Sequence, residues 1–394
     1  MKRKTRRLWL DLAVLAAILL CGLFLYHAAA PVDADTATAN TALEYVSGTV
    51  DAVLSDSCEA DPVAENNERG TQNLIVTIHS GTYAGTQMLT TNTVGPLYGQ
   101  SFAVGDRVTV GISTYTDGTT ACFVYEYDRT TPLLVILGLF LLVTVLVGGK
   151  VGVKSIVALV LTVVALIWVL LPLLLKGWPT IPTTFLVAVL ITCASFVILG
   201  GVNTKTVCSA LGTLAGIALA TLFGLLAQHL LRINGYRQEY AEALLQLRQT
   251  GESGIGISGL VTAGVIISAL GAVMDVAMSI SSAMNELSLV GQDLSAPQLF
   301  KSGLNIGHDM VGTMTNTLIL AILGSGLTLI VYIYSLGLQP RQFLSSAYVS
   351  LEVISAIASS IGVMLAVPFT ALINAFALSR GKAMPQTNPT DKLF

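Results

Sequence analysis

Apolar runs of bilayer length recur along this chain, and they constrain its fold more than any other feature. A helix needs about 20 mostly apolar residues to cross the hydrocarbon core. In lipid, backbone polar groups are satisfied only within helices or closed barrels. Runs of this kind fall at residues 8–30, 132–147, 155–175, 181–200, 206–231, 255–277, 311–336 and 343–378. The last is too long for one perpendicular helix, so it is either steeply tilted or broken near Pro368. Only 11% of the 394 residues are charged, against about 25% in soluble domains. A soluble enzyme is excluded, and a net charge of −3 offers no basic surface for nucleic acid.

The expected fold class is therefore an α-helical polytopic membrane protein of about eight spans. A small extracytoplasmic all-β domain, for which an OB-like barrel is one option, lies between the first and second spans. The domains read as a 1–30 anchor, a 31–131 β-rich domain, a 132–380 seven-helix membrane domain and a 381–394 tail. The anchor follows a basic cluster, Lys2 to Arg7, and an uncleaved anchor is favoured over a signal peptide cut near Ala30. Twelve Lys and Arg fall in segments expected inside, against five (Lys176, Arg232, Arg237, Arg248 and Arg341) in the short loops expected outside. That bias puts both termini in the cytoplasm and residues 31–131 outside the plasma membrane.

Residues 31–131 hold 13 of the acidic side chains and only 3 of the basic ones. Short runs rich in β-branched residues predict strands at 44–54, 73–79, 86–91, 107–113 and 120–127. Cys58 and Cys122 lie on the oxidising side, where a disulfide is chemically permitted, and spacing alone leaves that pairing open. The acids Asp56, Glu59, Asp61, Glu65 and Glu68 lack the EF-hand spacing, so a solvated loop outweighs a cation site. Which metal the chain would take, if any, is unknown from sequence.

Ionisable groups inside apolar runs are costly and so mark candidate sites. Asp275 shares a helix face with Ser268, Ser279 and Ser282. This face either binds a cation or relays a proton, or else it meets water at the inner interface. Asp309, Thr313 and Asn316 share another face, with His308 beside them. His308 and Asp309 either belong to a buried site or cap the inner end of their helix. Glu352 stands about two turns into the last run, and either pairs inside the bundle or snorkels to the surface. No P-loop, His-Glu-x-x-His, Cys-x-x-Cys or Gly-x-Ser-x-Gly is present. No enzyme and no cofactor are expected.

Three segments carry a resemblance. They are Gly259-Leu-Val-Thr-Ala-Gly-Val-Ile-Ile-Ser-Ala-Leu-Gly-Ala-Val-Met-Asp-Val-Ala-Met-Ser-Ile-Ser-Ser-Ala, then Leu299-Phe-Lys-Ser-Gly-Leu-Asn-Ile-Gly-His-Asp-Met-Val-Gly-Thr-Met-Thr-Asn-Thr-Leu-Ile-Leu-Ala, then Glu352 with Ser360-Ile-Gly and Val367-Pro-Phe-Thr. With the layout of anchor, outer β domain and helical bundle, the chain resembles the YibE/F family of bacterial multipass membrane proteins. That family usually has an arginine where this chain has His308, which weakens any role needing permanent charge there. The resemblance carries no biochemical activity with it.

The favoured function is a transporter or permease-like protein using Asp275, Ser279, His308, Asp309, Thr313, Asn316 and Glu352. The alternative is an envelope scaffold or sensor whose outer domain binds a ligand or protein. Expected partners are membrane lipid and either a sister YibE/F-type subunit or an energising protein at the cytoplasmic loop 285–307.

Overall fold

A computed structural model describes residues 21–25, 27, 41–115, 118–238, 240–251, 253–290 and 294–382. The expected anchor at 1–30 and tail at 381–394 lie largely outside the described residues. Residues 21–25 and 27 are helical. Contacts divide the chain into two compact units, one between Asp33 and Leu146 and one from Val147 onward.

The first unit is a curled antiparallel sheet, half of a barrel. Its strands are β1 (Thr41–Asp56), β2 (Glu59–Ala60), β3 (Glu68–Ile78), β4 (Gln87–Val94), β5 (Arg107–Tyr115) and β6 (Thr120–Tyr127). The long β1 pairs with both β3 and β5; β4 adds to β3, and β6 to β5. Register shifts after Val50 and Val53 bend β1, as bulges do. The two ends of the sheet come near each other, where the Thr90 hydroxyl donates to the Cys122 carbonyl at 3.1 Å. Burial alternates along β3, so Leu74, Val76 and Ile78 enter a core with Val46, Val50, Val108, Val110 and Ile112. Buried Gln72 closes one end of this core. Its carbonyl accepts from the Phe102 N–H (2.9 Å) and from the Asn92 amide (3.2 Å), and its own amide donates to Asp56 (2.8 Å).

All five cysteines are free. Cys122 pairs across the ladder with Ile112, and Ile112 with Glu44 near the start of β1, whereas Cys58 follows the end of β1. Burial first, and Asp56 second, push the Cys58 thiol up to about 11, and burial also raises Cys122. Both are therefore protonated and poorly nucleophilic at neutral pH.

The acidic loop is organised by its own backbone. Asp61 accepts from the N–H groups of Ala64 and Val63, both at 2.8 Å. These bonds hold its carboxyl below the ordinary value of 3.8, with Arg69 adding a smaller pull. Asp56 is lowered by the Cys58 N–H and then by Gln72. A depressed folded-state pKa gives stability that is fully present above the unfolded value and lost as pH falls through the folded one. The β unit should therefore keep its acid-dependent stability down to about pH 4 and lose it below. Amide protection of residues 41–127 in the full chain, corrected for intrinsic exchange at each pH, should fall only under pH 4, and a fall already between pH 6 and 5 would contradict these assignments.

The second unit is helical, and the first helix runs into it. Helix α1 (Thr130–Val164) continues through a π-helical turn, Ala165–Leu170, into α2 (Leu171–Leu175). Pro172 has no N–H to give, and the wider turn lies directly before it. The two expected runs at 132–147 and 155–175 both fall within the 46-residue stretch Thr130–Leu175, as two helices that meet at a kink. Gly149 (φ 54°, ψ −132°) interrupts its helical geometry, a conformation open to glycine. Next come α3 (Thr180–Gly200), α4 (Thr204–Leu231), α5 (Ala241–Gln249), α6 (Leu260–Val290), α7 (Ala296–Ser325), α8 (Leu327–Ser335), α9 (Pro340–Leu344) and α10 (Ala347–Lys382). Asn203 caps α4 by accepting from the Thr206 N–H at 3.0 Å. Gln298 reaches back to the Ser295 N–H at 2.8 Å ahead of α7.

Six helices among the described residues are long and apolar enough to cross a membrane: Thr130–Leu175, Thr180–Gly200, Thr204–Leu231, Ile257–Val290, Ala296–Ser325 and Ala347–Ser379. The count differs from eight because the first run lies largely outside the described residues and the next two adjoin at the Gly149 kink within one stretch. Pro368 does not break the last helix. It is continuous for 36 residues, about 54 Å, so the expected break is absent. The expected loop at 285–307 is also mostly helix, since α6 runs to Val290 and α7 starts at Ala296.

Candidate functional site

The helical unit is held by small residues on α4 that admit backbone contact. A Cβ at Gly216 would lie 2.8 Å from the Ala366 Cβ and 2.9 Å from both the Gly362 carbonyl and Val273. Gly212 abuts Thr370, and Gly224 faces Val265 and Ala358. On α7, Gly303 abuts Met284 and Ala371 and Gly307 abuts Val367; Gly326, between α7 and α8, approaches the Glu352 carboxyl group. These close approaches fix the register of four helices, and with it the level of each candidate residue.

Asp275 stands two residues after Val273, and so level with Gly216 and Ala366. Asp309 stands two residues after Gly307, and so level with Val367. The two carboxylates therefore share one level of the bundle, on different helices. Gly216 lies 12 residues after the start of α4, about 18 Å in, so that level is near the middle of the helix. His308 and Asp309 are not at a helix end: α7 begins 12 residues before His308. The end-capping alternative is removed. Residues 296–307 look like a loop in the sequence because their polar side dominates the composition, while their inward positions Leu299, Gly303 and Gly307 repeat every four residues.

Glu352 belongs elsewhere. It sits against Gly326 at the opposite end of α10 from Asn374. Its level is 15 residues from Val367, about 22 Å along the helix. It cannot share a cation with Asp275 or Asp309, since ligand distances are only about 2–2.6 Å.

Asp275 and Ser279 are exposed on α6, and His308, Asp309, Thr313 and Asn316 are exposed on α7. Among the described residues, none of the carboxylates Asp275, Asp309 and Glu352 makes a hydrogen bond or ion pair. No group of three His, Cys, Asp or Glu among the described residues is placed to hold a metal ion.

The family profile described as YibE/F-like protein matches residues 136–380. The chain belongs to the YibE/F-like family. No curated protein and no solved structure matches it. Its apolar helices and its family agree on a multi-pass membrane protein.

Two features of this YibE/F-like protein carry no sequence signature. The first is a set of buried polar contacts between helices. The Asn374 amide donates to the Ser281 hydroxyl (2.8 Å) and to the Thr370 carbonyl (2.9 Å). The Gln228 amide donates to the Thr262 hydroxyl (2.7 Å), and Ser268 meets Ser359 (2.8 Å). Apart from the Thr370 contact, one turn back on the same helix, each pair joins residues at least 34 positions apart, so only the folded bundle brings them together. Such bonds contribute about 0.6 kcal/mol each in membrane bundles. The second is a cavity of about 640 Å³ at the Glu352 end, lined by Glu352, Glu242, Tyr236, Tyr240, Tyr332 and Tyr348. Its tyrosines come from three separate segments, so no spacing in the sequence announces it. Both acids and the ring faces suit polar or cationic solutes.

Proposed function

We propose that this YibE/F-like protein is a permease-type protein of the plasma membrane. It would carry a polar or cationic solute between the Glu352 cavity and the mid-depth carboxylates Asp275 and Asp309. In this reading the chain crosses the membrane eight times with both termini cytoplasmic. The 46-residue stretch divides at Gly149 into two crossings, and the β unit projects outside. The strand order of that unit, β4-β3-β1-β5-β6 with β4 and β6 approaching, is the order of an OB-type barrel.

The observation that carries the reading is the placement of two carboxylates without ion-pair partners in their own chain, at one level near the middle of the helical bundle. A charge there is expensive unless water, a solute or another protein surrounds it. A sensor that only anchors a domain has no use for that expense.

Water access tests this directly. In a chain with its native cysteines replaced by serine or alanine, Asp275→Cys and Glu352→Cys should both react with a membrane-impermeant maleimide. Leu222→Cys, on the exposed apolar side of α4, should not. An Asp275→Cys variant as inert as Leu222→Cys would mean that no aqueous path reaches the central level.

A further inference from the structure

The side of α7 that faces away from the bundle is polar at a depth where lipid would be expected. Gly303, Gly307, Met310, Val311, Met314 and Leu318 turn inward. Opposite, about 180° away at 100° per residue, stand Gly312 and Asn316, with His308 on one flank and Asp309 and Thr313 on the other. All five are exposed, and only 6% of the most apolar stretch of this helix is buried, against 39–50% for α3, α4, α6 and α10. Nothing lies within 4 Å of where a Cβ on Gly312 would be. The level of Asp309, set by Gly307 against Val367, is central rather than interfacial.

We propose that this face is the contact between two copies of the chain, related by a twofold axis parallel to α7. The argument for a second copy, rather than a different protein, is self-complementarity. His308 and Asp309 flank the middle of the face on opposite sides. A twofold axis through that middle therefore sets His308 of each copy beside Asp309 of the other, twice. The same operation places Gly312 against Gly312, so the backbones approach, and Asn316 against Asn316, whose amide can donate to its own kind. A surface with these properties is isologous, the arrangement of most symmetric dimers. Close approach at small residues, with polar groups bonding across, is how membrane helices associate. The inference needs the membrane placement of α7 but not the transport reading.

The test uses the full chain, cysteine-free, in native membranes. Asn316→Cys and Gly312→Cys should form disulfide-linked dimers under mild copper oxidation, because a disulfide needs Cα atoms within about 7 Å. Leu222→Cys, on α4, should remain monomeric. Asp309→His should weaken the dimer and the double exchange His308→Asp with Asp309→His should restore it, as read by two-step photobleaching of a single C-terminal fluorophore per chain. Photobleaching of the unsubstituted chain in nanodiscs should give two steps and guards against a cysteine variant that fails to insert. Single-step bleaching would overturn the proposal. So would two-step bleaching with cross-links from a different face, or cross-links at Asn316 only to another protein.

Discussion

Replacing Gly216 by leucine should abolish assembly of the helical unit. Three helices meet at this glycine. A Cβ there would stand 2.8–2.9 Å from the Ala366 methyl, the Gly362 carbonyl and the Val273 side chain. Only the Val273 contact could relax by a side-chain shift. The Ala366 methyl and the Gly362 carbonyl are fixed to the backbone of a 36-residue helix, and they move only if α10 moves as a body. The reverse contact is as tight, because a Cβ on Gly362 would lie 2.7 Å from the Ala220 methyl. Overpacking of a well-packed core costs about 1–3 kcal/mol and sometimes more. Forcing two backbones apart belongs at or above the top of that range. In membranes, helix association draws on van der Waals contact rather than on expulsion of water, so lost contact is not offset elsewhere. The expected result is loss of the monodisperse peak of a fluorescent fusion in detergent, and degradation of the fusion in cells. Gly264→Leu, where nothing lies within 4 Å of the added Cβ, should leave the peak unchanged. Equal damage at both glycines would mean that helix propensity or hydropathy, not packing, is being read.

Much of the fold is visible in the sequence, because the two periods that matter are strong. The β-branched alternation at Leu74–Ile78 marks β3, and the bilayer-length runs mark the helices, which is how an α-helical membrane bundle with a separate β domain can be expected from residues alone. Three things are not visible, each for a physical reason. The first half of α7 is amphipathic, with only one residue in four turned inward, so mean hydropathy hides it. Helix register across α4, α6, α7 and α10 is set by which glycine meets which side chain, and that is a property of packing rather than of spacing. This is why Asp275 and Asp309 turn out level while Glu352 lies about 22 Å away. The tyrosine-lined cavity is assembled from the α4–α5 connection, α8 and the start of α10, the first lying more than 80 residues before the other two. The face shared by Asp309, Thr313 and Asn316 is legible from their spacing. Its direction, away from the bundle, is not.

The second large effect concerns charge. Asp275→Asn and Asp309→Asn preserve shape and remove one charge each at the central level. Neither residue is part of the buried contacts that hold the bundle, and both are exposed. The bundle should therefore fold as before or slightly better, since desolvating a carboxylate is a cost that asparagine avoids. If the charges bind or relay a cation, loss of function should be near complete while the amount of inserted protein is unchanged. Glu352→Gln, at the cavity end, should lower apparent affinity more than maximal rate. The decisive measurement is complementation of a chromosomal deletion by these variants, with membrane levels matched and growth compared across metal, pH and organic-cation stresses. The account predicts that Asp275→Asn and Asp309→Asn reproduce the deletion phenotype wherever the unsubstituted chain rescues it. Full rescue by both neutral variants, at wild-type membrane levels, would contradict it and would leave the β unit as the functional part of the protein.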